Sequence, residues 1–521
     1  MSPFVRTVKT GSGSTAVQIV EKRNGQRRIV EHVGSALDEV ELAVLMSVAR
    51  QRLHGEPGDM LDFTDGEPPP AAAAVKKQPA AAPIVEDSRS EVLWSVLSHA
   101  YGVLGFDQVA DETFRSLVLA RIIEPTSKAD TIRVLSEIGV PAPHENTLYN
   151  CLRRCVARDY RQQVADACWT HASGAGPVGL VMYDLTTLHF EVADEDRLRK
   201  VGMSKEHRID PQVTVGLLVT ADGFPLDICM FEGNQAETKT LVPVIEAFQA
   251  RHGVTGLVVV ADAGMLSAAN LNALEDAGCR FIVGSRQSRV PYDLDAHFKQ
   301  HGNATPDDAT IETSRDMGIG KARRTRRVVY HFSWKRYRRD MRAINAQVTK
   351  AEKVAAGTRP IARDRFVTVT SDADGRKAEV NWAVIERARF CAGYKGFVTN
   401  IGQDVLDGSA VVAAYRDLWR VEESFRMTKS DLRARPIFHR KRDAIEAHLT
   451  VVFAALAVAR WLQRHSGVTI KRLVQTLRPL KTVTITIAGR PVTAQPRLTD
   501  DARSILEAKE LWKCLDSTDR C

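Results

Sequence analysis

The stretch GLVMYDLTTLHFE, Gly179–Glu191, decides the reading of this chain. Val178, Leu180 and Met182 alternate with their neighbours and lead up to Asp184, the period-two pattern of a β-strand. A carboxylate is therefore carried by an apolar strand, where the scaffold is stiff. Outward from it the pattern stays regular. PQVTVGLLVTADGFPLDICMFEG, 211–233, reads as two strands around an Asp222-Gly223 turn, and TKTLVPVIEAFQARHG, 238–253, reads as an amphipathic helix. GLVVVADAGM, 256–265, is a buried strand that ends in a loop. SAANLNALEDAG, 267–278, and RFIVGSRQ, 280–287, add a helix and a strand.

The order is three strands, helix, strand, helix, strand. Consecutive strands joined by a short turn pair antiparallel, and strands separated by helices pair in parallel. This mixed order predicts an α/β fold with an RNase H-like core over 176–287. Residues 288–400 break the alternation and read as a basic, partly β insertion, with strands in RFVTVTSD, AEVNWAVI and GFVTN. The core resumes in helices over 401–467, and 468–521 form a mixed C-terminal tail.

Before the core, 91–175 show helical periods and make a helical N-terminal region, expected to bind DNA or dimerise. Residues 55–90 contain PPPAAAAVKKQPAAAP, a Pro/Ala-rich linker expected to be disordered. Residues 1–54 form a small β-hairpin unit with a helix. Its turn is placed at Asn24-Gly25, between two alternating runs.

Composition narrows the class. The 521 residues carry 72 Lys and Arg against 64 acids, a net +8, with 44% hydrophobic and 26% charged residues, as in ordinary soluble chains. The longest apolar run, Leu449–Ala459, is too short to span a bilayer and reads as a buried helix, so no membrane partner is expected. The opening MSPFVRTVKT has basic residues but no apolar run, so no signal peptide is expected. The eight cysteines include no CxxC pair, which points to reduced structural thiols in the cytoplasm.

Asp262 follows the run LVVVA at the carboxyl end of a strand, the edge where ligands collect in α/β sheets. Glu422 lies in a helical stretch, YRDLWRVEESF. Asp184, Asp262 and Glu422 are 78 and then 160 residues apart, so only the fold can unite them. Taken singly, such an Asp more often caps a turn and such a Glu is usually solvated. Together, three converging carboxylates repel one another unless a cation joins them, and hard oxygen donors select Mg²⁺ or Mn²⁺. Two such ions would clamp the oxygens of an in-line phosphoryl transfer. Tyr415, Glu422 and Lys429 recur every seven residues, close to two helical turns each, so all three are expected on one face, with Lys429 placed to contact a phosphate. Glu423 is the neighbouring alternative to Glu422, and the step to Lys429 favours Glu422.

KARRTRRVVYHFSWKRYRRDMR, 321–342, holds ten Lys and Arg against Asp340 alone, a net +9 that exceeds the charge of the whole chain. Arg323, Arg324, Arg326 and Arg327 are candidates for phosphate contact, with Tyr330, Phe332, Trp334 and Tyr337 interleaved for stacking. A solvated basic hairpin and helix is the plainer alternative.

The pattern YxxxWxVExxFxxxK, here Tyr415, Trp419, Val421, Glu422, Phe425 and Lys429, resembles the YREK signature of DDE transposases of the IS4 superfamily, and within it the IS1634-like (IS1549) group. VMYDLTTLHFE and VVADAGM resemble that group's two aspartate motifs. The block 202–240 is similar at Gly202, Ser204, Lys205, Arg208, Gly216, Gly223, Pro225, Gly233, Asn234, Glu237 and Thr240, as is RPIFHRKRDAIEAHL after the glutamate. The resemblance covers about 178–459. It departs at Leu418, where the superfamily has an arginine; Arg416 and Arg420 are neighbouring substitutes, but neither is on the face of Tyr415 and Glu422.

What the resemblance implies is an insertion-sequence DNA transposase. Asp184, Asp262 and Glu422 would be the catalytic, metal-binding acids, with two Mg²⁺ (or Mn²⁺) ions. Water would cleave double-stranded DNA at the terminal inverted repeats, and the freed 3′-hydroxyl would attack target DNA within a homodimer. Tyr415, Arg420, Arg426, Lys429, Lys205 and Arg208 would support DNA contact, with His189 and Asn234 as further candidates. The setting would be the bacterial cytoplasm, in association with the nucleoid. An RNase H-like nuclease or resolvase would share the acids but not the YxxxWxVExxFxxxK helix or the basic insertion. A non-catalytic DNA-binding descendant is the other alternative, against which the intact acids argue.

Overall fold

A computed structural model of the chain describes residues 3–9, 14–23, 26–36, 39–54, 84–191, 194–202, 210–302, 304–361, 364–372, 375–435, 437–487, 490–508 and 511. They fall into two compact units, 1–80 and 81–521.

In the first unit, β1 (Phe4–Lys9), β2 (Thr15–Arg23) and β3 (Gln26–Ala36) form an antiparallel sheet, followed by helix α1 (Glu39–His54). Arg23 pairs with Gln26, and the turn expected at Asn24-Gly25 lies outside the described residues. Val17, Ile19 and Ala49 make the unit's small core.

The second unit includes β4 (Ile84–Arg89), so the end of the stretch 55–90 read as a disordered linker carries a strand, while 55–83 lie outside the described residues. Residues 84–89 are a strand because the C-terminal strand Thr482–Ile487 supplies a partner, Arg89 lying opposite Thr482. Helices α2 (Glu91–Val103), α3 (Glu112–Ile123), α4 (Thr131–Glu137), α5 (Glu145–Ala157) and α6 (Tyr160–Gly174) follow. Asp111 starts α3 by accepting from the backbone N–H groups of Thr113 and Phe114, at 3.0 and 3.1 Å. The apolar faces of these helices belong to the same core as the sheet, so they do not stand as a separate body.

The sheet is built from β5 (Leu180–His189), β6 (Gln212–Thr220) and β7 (Pro225–Glu232), then α7 (Leu241–His252), β8 (Val258–Ala261), α8 (Ala268–Asp276) and β9 (Arg280–Ser285). β5, β6 and β7 pair antiparallel, while β8 pairs in parallel with both β5 and β9. After the short helices α9 (Val290–Asp293) and α10 (Asp295–His301) come β10 (Thr310–Met317), β11 (Arg324–Phe332), α11 (Trp334–Ala355), β12 (Val367–Asp372), β13 (Gly375–Val380), α12 (Trp382–Phe390) and β14 (Tyr394–Thr399). The full order is β10-β11-β14-β9-β8-β5-β6-β7, a large mixed sheet consistent with an RNase H-like core.

Two expectations about 288–400 change. β10, β11 and β14 extend the main sheet through β9 rather than forming a separate insert. Only α11, the β12–β13 hairpin and α12 gather around a second core, of Ile344, Val348, Phe366 and Ile385. AEVNWAVI is also not all strand: Asn381 accepts from the Val384 N–H at 3.1 Å, ending β13 and starting α12.

The chain closes with α13 (Gly408–Arg416), α14 (Trp419–Ser430), α15 (Arg442–Ser466), α16 (Ile470–Leu477), β15 (Thr482–Ile487), β16 (Arg490–Ala494) and α17 (Asp500–Glu507). α15 is long and apolar enough to cross a membrane by length and composition, but 89% of its most apolar window is buried inside the fold. It is the central helix against which α3, α5 and α6 pack.

Candidate active site

Sheet register brings the two aspartates together. β5 and β8 run in parallel with Tyr183 opposite Ala261, and Asp184 and Asp262 are the next residues along each chain. Asp184 is buried at 9% exposure, while Asp262 sits past the strand end and is open to solvent. Glu422 arrives from the first turn of α14. All three line one cavity of about 470 Å³.

The helix that delivers Glu422 is not continuous. α13 ends at Arg416 and α14 begins at Trp419, and the junction is tightened by Leu418 N–H to Tyr415 O at 3.1 Å and Val421 N–H to Leu418 O at 3.1 Å. The expectation that Tyr415, Glu422 and Lys429 share one helix face therefore fails for Tyr415, while Glu422 and Lys429 stay seven residues apart on α14. Tyr415 and Glu422 line the cavity from two helices, and Lys429, half-buried in the last turn of α14, does not line it. The break also changes the reading of Leu418. Leu418 and Arg416 both line the cavity, and Arg416 Nη2 lies 3.2 Å from Asp308 and 3.1 Å from His331 Nε2.

Tyr415 is the hinge of the site. Its hydroxyl donates to Asp262 Oδ1 at 2.8 Å, and its ring packs 4.7 Å from that of Phe397 on β14. Burial, then the Asp262 carboxylate, pushes its phenol well above the usual range, so it stays a donor. Gly284 on β9 makes room for it: a Cβ there would lie 2.7 Å from the Tyr415 oxygen.

Glu422 and Glu423 separate by partner. Glu423 forms an ion pair with Arg460 of α15 at 2.8 Å, whereas Glu422 is exposed to the cavity. Among the described residues no three His, Cys, Asp or Glu side chains converge closely enough to hold one ion. The acids bound an open cavity rather than forming a closed ligand shell. Such a set of hard oxygens fits Mg²⁺ or Mn²⁺, which take one or two carboxylates and complete their coordination with water and substrate phosphate.

Of two further cations in this cavity, Lys395 was not read from the sequence and Arg336 was read only as one charge of the basic stretch 321–342. Lys395, on β14, places its ammonium 5.0 Å from the centre of the Tyr415 ring. Burial lowers its affinity for a proton, and the carboxylates of Asp262 and Glu422 partly restore it. Arg336, in the first turns of α11, lines the same cavity, with burial and then Arg339 pulling its proton affinity down. The alternation in YKGFVTN held the signal: Lys395 falls on the same strand face as Phe397.

The remaining candidates lie elsewhere. Arg420 bonds to Asp417 at 3.2 Å and stacks over Trp419, and exposed Arg426 is outside the cavity. Lys205 and Arg208 lie outside the described residues. His189 ends β5, and Asn234 is exposed after β7.

The basic stretch 321–342 is corrected in its first half. Arg326 is 2% exposed and paired with Glu275 at 2.9 Å; Arg327 is bonded twice to Glu312 at 2.8 Å and also to the carbonyls of Ile401 and Leu406. Arg324 reaches Glu275 and Asp276, and exposed Arg323 pairs with Asp316. These charges join β11 to its neighbours instead of forming an unpaired phosphate-binding strip. Tyr330 and Phe332 are core residues, and only Trp334 of the four aromatics is exposed.

Comparison with known proteins fits this geometry. The family described as "Transposase DDE domain" matches residues 190–458, which include Asp262 and Glu422 and begin just after Asp184. Among solved structures the chain is similar to the piggyBac transposase in its cryo-EM synaptic complex with hairpin DNA, at 9% identity and a TM-score of 0.38, over 74% of this chain and 77% of that one. No curated protein matches. Because the family match spans more than half of the chain, this protein belongs to the DDE transposase family.

Proposed function

We propose that the chain is the transposase of an insertion sequence in the IS4 superfamily, of the IS1634-like group, acting on double-stranded DNA as a homodimer in the bacterial cytoplasm. Asp184, Asp262 and Glu422 are its catalytic acids and would hold two Mg²⁺ or Mn²⁺ ions. The observation that carries this reading is the single cavity on which the three acids open, from β5, the end of β8 and α14.

When bound, such ions would supply charge neutralisation for an in-line phosphodiester displacement. The chain's own groups do the rest. Tyr415 holds the Asp262 carboxylate in one orientation through its hydroxyl. Lys395 and Arg336 place positive charge at the wall of the cavity, where phosphoryl oxygens gain charge as the bond breaks. Arg416 lines the same cavity and supplies the positive charge that the family signature's arginine, absent at Leu418, would bring. The exposed cations of α11, with Arg336 reaching inward, offer a track for the strand that enters.

Cleavage of a labelled duplex carrying the element's own terminus tests the reading. With Mg²⁺ the unaltered chain should release a 3′-hydroxyl end, and EDTA or Glu422→Gln should abolish the product. Binding without metal-dependent cleavage would assign the chain to the non-catalytic descendants.

A further inference from the structure

A second polar cavity, of about 600 Å³, lies between the loop after α3 and the segment that joins α14 to α15. It shares no lining residue with the carboxylate cavity. The charges on its wall have one sign: Arg121, Lys128, Arg433, Arg435 and Arg440 line it together with His439 and His448, and no acid does. This is the RPIFHRKRD stretch of the sequence, for which the phosphodiester chemistry above has no use.

Arg121 and Lys128 are each only 7% exposed. Lys128 Nζ donates to Nδ1 of His448 at 2.6 Å. His448 Nε2 faces the carbonyl of Ala434 at 3.0 Å and so carries the ring proton. Arg121 donates to the carbonyl of Leu432 at 3.4 Å. Among the described residues no carboxylate comes within 4.0 Å of Arg121, Lys128, Arg433 or Arg440. Burial and then the neighbouring Arg121 draw Lys128 well below the ordinary lysine range, and burial draws Arg121 down to about 10. Buried like charges without a counter-ion oppose folding, and an anion entering the cavity would relieve them.

The rim shows which anion. Tyr149 and Phe438 are 42% and 75% exposed beside these cations. Exposed aromatic faces next to phosphate-binding cations suit a nucleic-acid strand, whose bases stack while its backbone is neutralised. The segment is also tied to the catalytic strand, since Ile437 N–H donates to the carbonyl of His189 at the end of β5.

We propose that this pocket is a phosphodiester subsite for a DNA strand, its cations taking backbone oxygens and Tyr149 or Phe438 receiving an adjacent base. The proposal rests on the DNA-transposase reading. Buried Lys128 is retained despite its cost because the bound strand supplies the missing negative charge.

The test is binding of a labelled duplex terminus to the full chain across a salt series, with melting temperature measured alongside. Arg440→Ala, on the exposed rim, should weaken binding about five- to tenfold and reduce the slope of log Kd against log salt by about 1. Lys128→Met should weaken binding while raising the melting temperature, the opposite of what a purely structural lysine would give. Should Lys128→Met fail to fold, Arg440→Ala still decides. Duplex binding with slope and affinity unchanged in Arg440→Ala would overturn the subsite and leave the transposase reading standing. Stabilisation by inorganic phosphate together with that unchanged slope would assign the pocket to a free anion, again overturning the proposal. No duplex binding by the unaltered chain would overturn both.

Discussion

The Tyr415 hydroxyl is bonded to Asp262 Oδ1 at 2.8 Å, while the ammonium of Lys395 lies 5.0 Å from the centre of the same tyrosine ring. One side chain therefore orients an acid and supports a cation. Tyr415→Phe keeps the ring and removes only the bond. A hydrogen bond to a charged group contributes about 1.5–3 kcal/mol, so cleavage should slow by roughly ten- to a hundredfold with DNA affinity unchanged. Gly284→Ala should slow it in the same direction, because its Cβ would lie 2.7 Å from that hydroxyl. Single-turnover cleavage rates beside equilibrium binding check both, and an unslowed Tyr415→Phe would remove the bond from the mechanism.

Lys395 tests the cationic wall. Lys395→Met removes the charge and retains much of the stem, so the fold should survive. If the charge meets developing phosphoryl oxygens, the single-turnover rate should fall by about 10²–10³, the scale of losing one preorganised charge-stabilising group. Lys395→Arg should recover part of that loss. A fall in affinity with an intact rate would make Lys395 a ground-state contact instead.

Adjacent glutamates should behave oppositely. Glu422→Gln should leave melting unchanged and abolish cleavage. Glu423→Gln breaks a pair whose Arg460 side chain is 11% exposed, so it should cost about 1–3 kcal/mol of stability and spare most of the activity. Calorimetry and the cleavage assay together separate them. The reverse pattern would move the third acid to Glu423.

How far these residues could be read from sequence depended on the range of the interaction that placed them. Asp184 and Asp262 follow runs of apolar residues, and a strand's period is local, so their placement on a strand and at a strand's end was legible, while the pairing of the two strands was not. Tyr415 and Glu422 were read as one helix because a step of seven looks continuous. The break at Asp417–Leu418 is set by how two helices seat against the sheet, which periodicity does not report. Ile84–Arg89 looked like linker because its strand partner lies nearly 400 residues away. Arg326 looked like a DNA contact because charge in sequence is visible and its partner Glu275, on another element, is not.

That last difference is measurable. Arg326→Ala would leave Glu275, 17% exposed, with the more exposed Arg324 as its remaining ion-pair partner, and losing the buried charge-assisted bonds should cost about 1–3 kcal/mol. The melting temperature should drop and the salt slope of DNA binding should hold. Arg323→Ala, at an exposed pair, should leave melting unchanged. A reduced salt slope in Arg326→Ala with normal melting would restore the arginine to the DNA interface.

The cationic pocket also sets the sign of the acid response. Burial, then Lys128 and Arg121, pulls His439 down to about 4, and the same causes pull His448 well below 6.5. Both are neutral in the folded chain at neutral pH. As pH falls below about 6.5 the unfolded chain binds protons that the folded chain refuses, so stability is lost, and for His439 the loss continues down to about pH 4. His99, His171, His252 and His297 are lowered too and share this direction, so the unaltered protein should melt earlier in acid. His439→Gln should shrink the difference in melting temperature between about pH 7.5 and about pH 5 by a few °C. Lys128→Met should shrink it as well, because the strongest local repulsion on both imidazoles is gone. An undiminished difference in both variants would mean that these histidines take up their protons without unfolding, with enough negative charge already reaching the pocket to accept them.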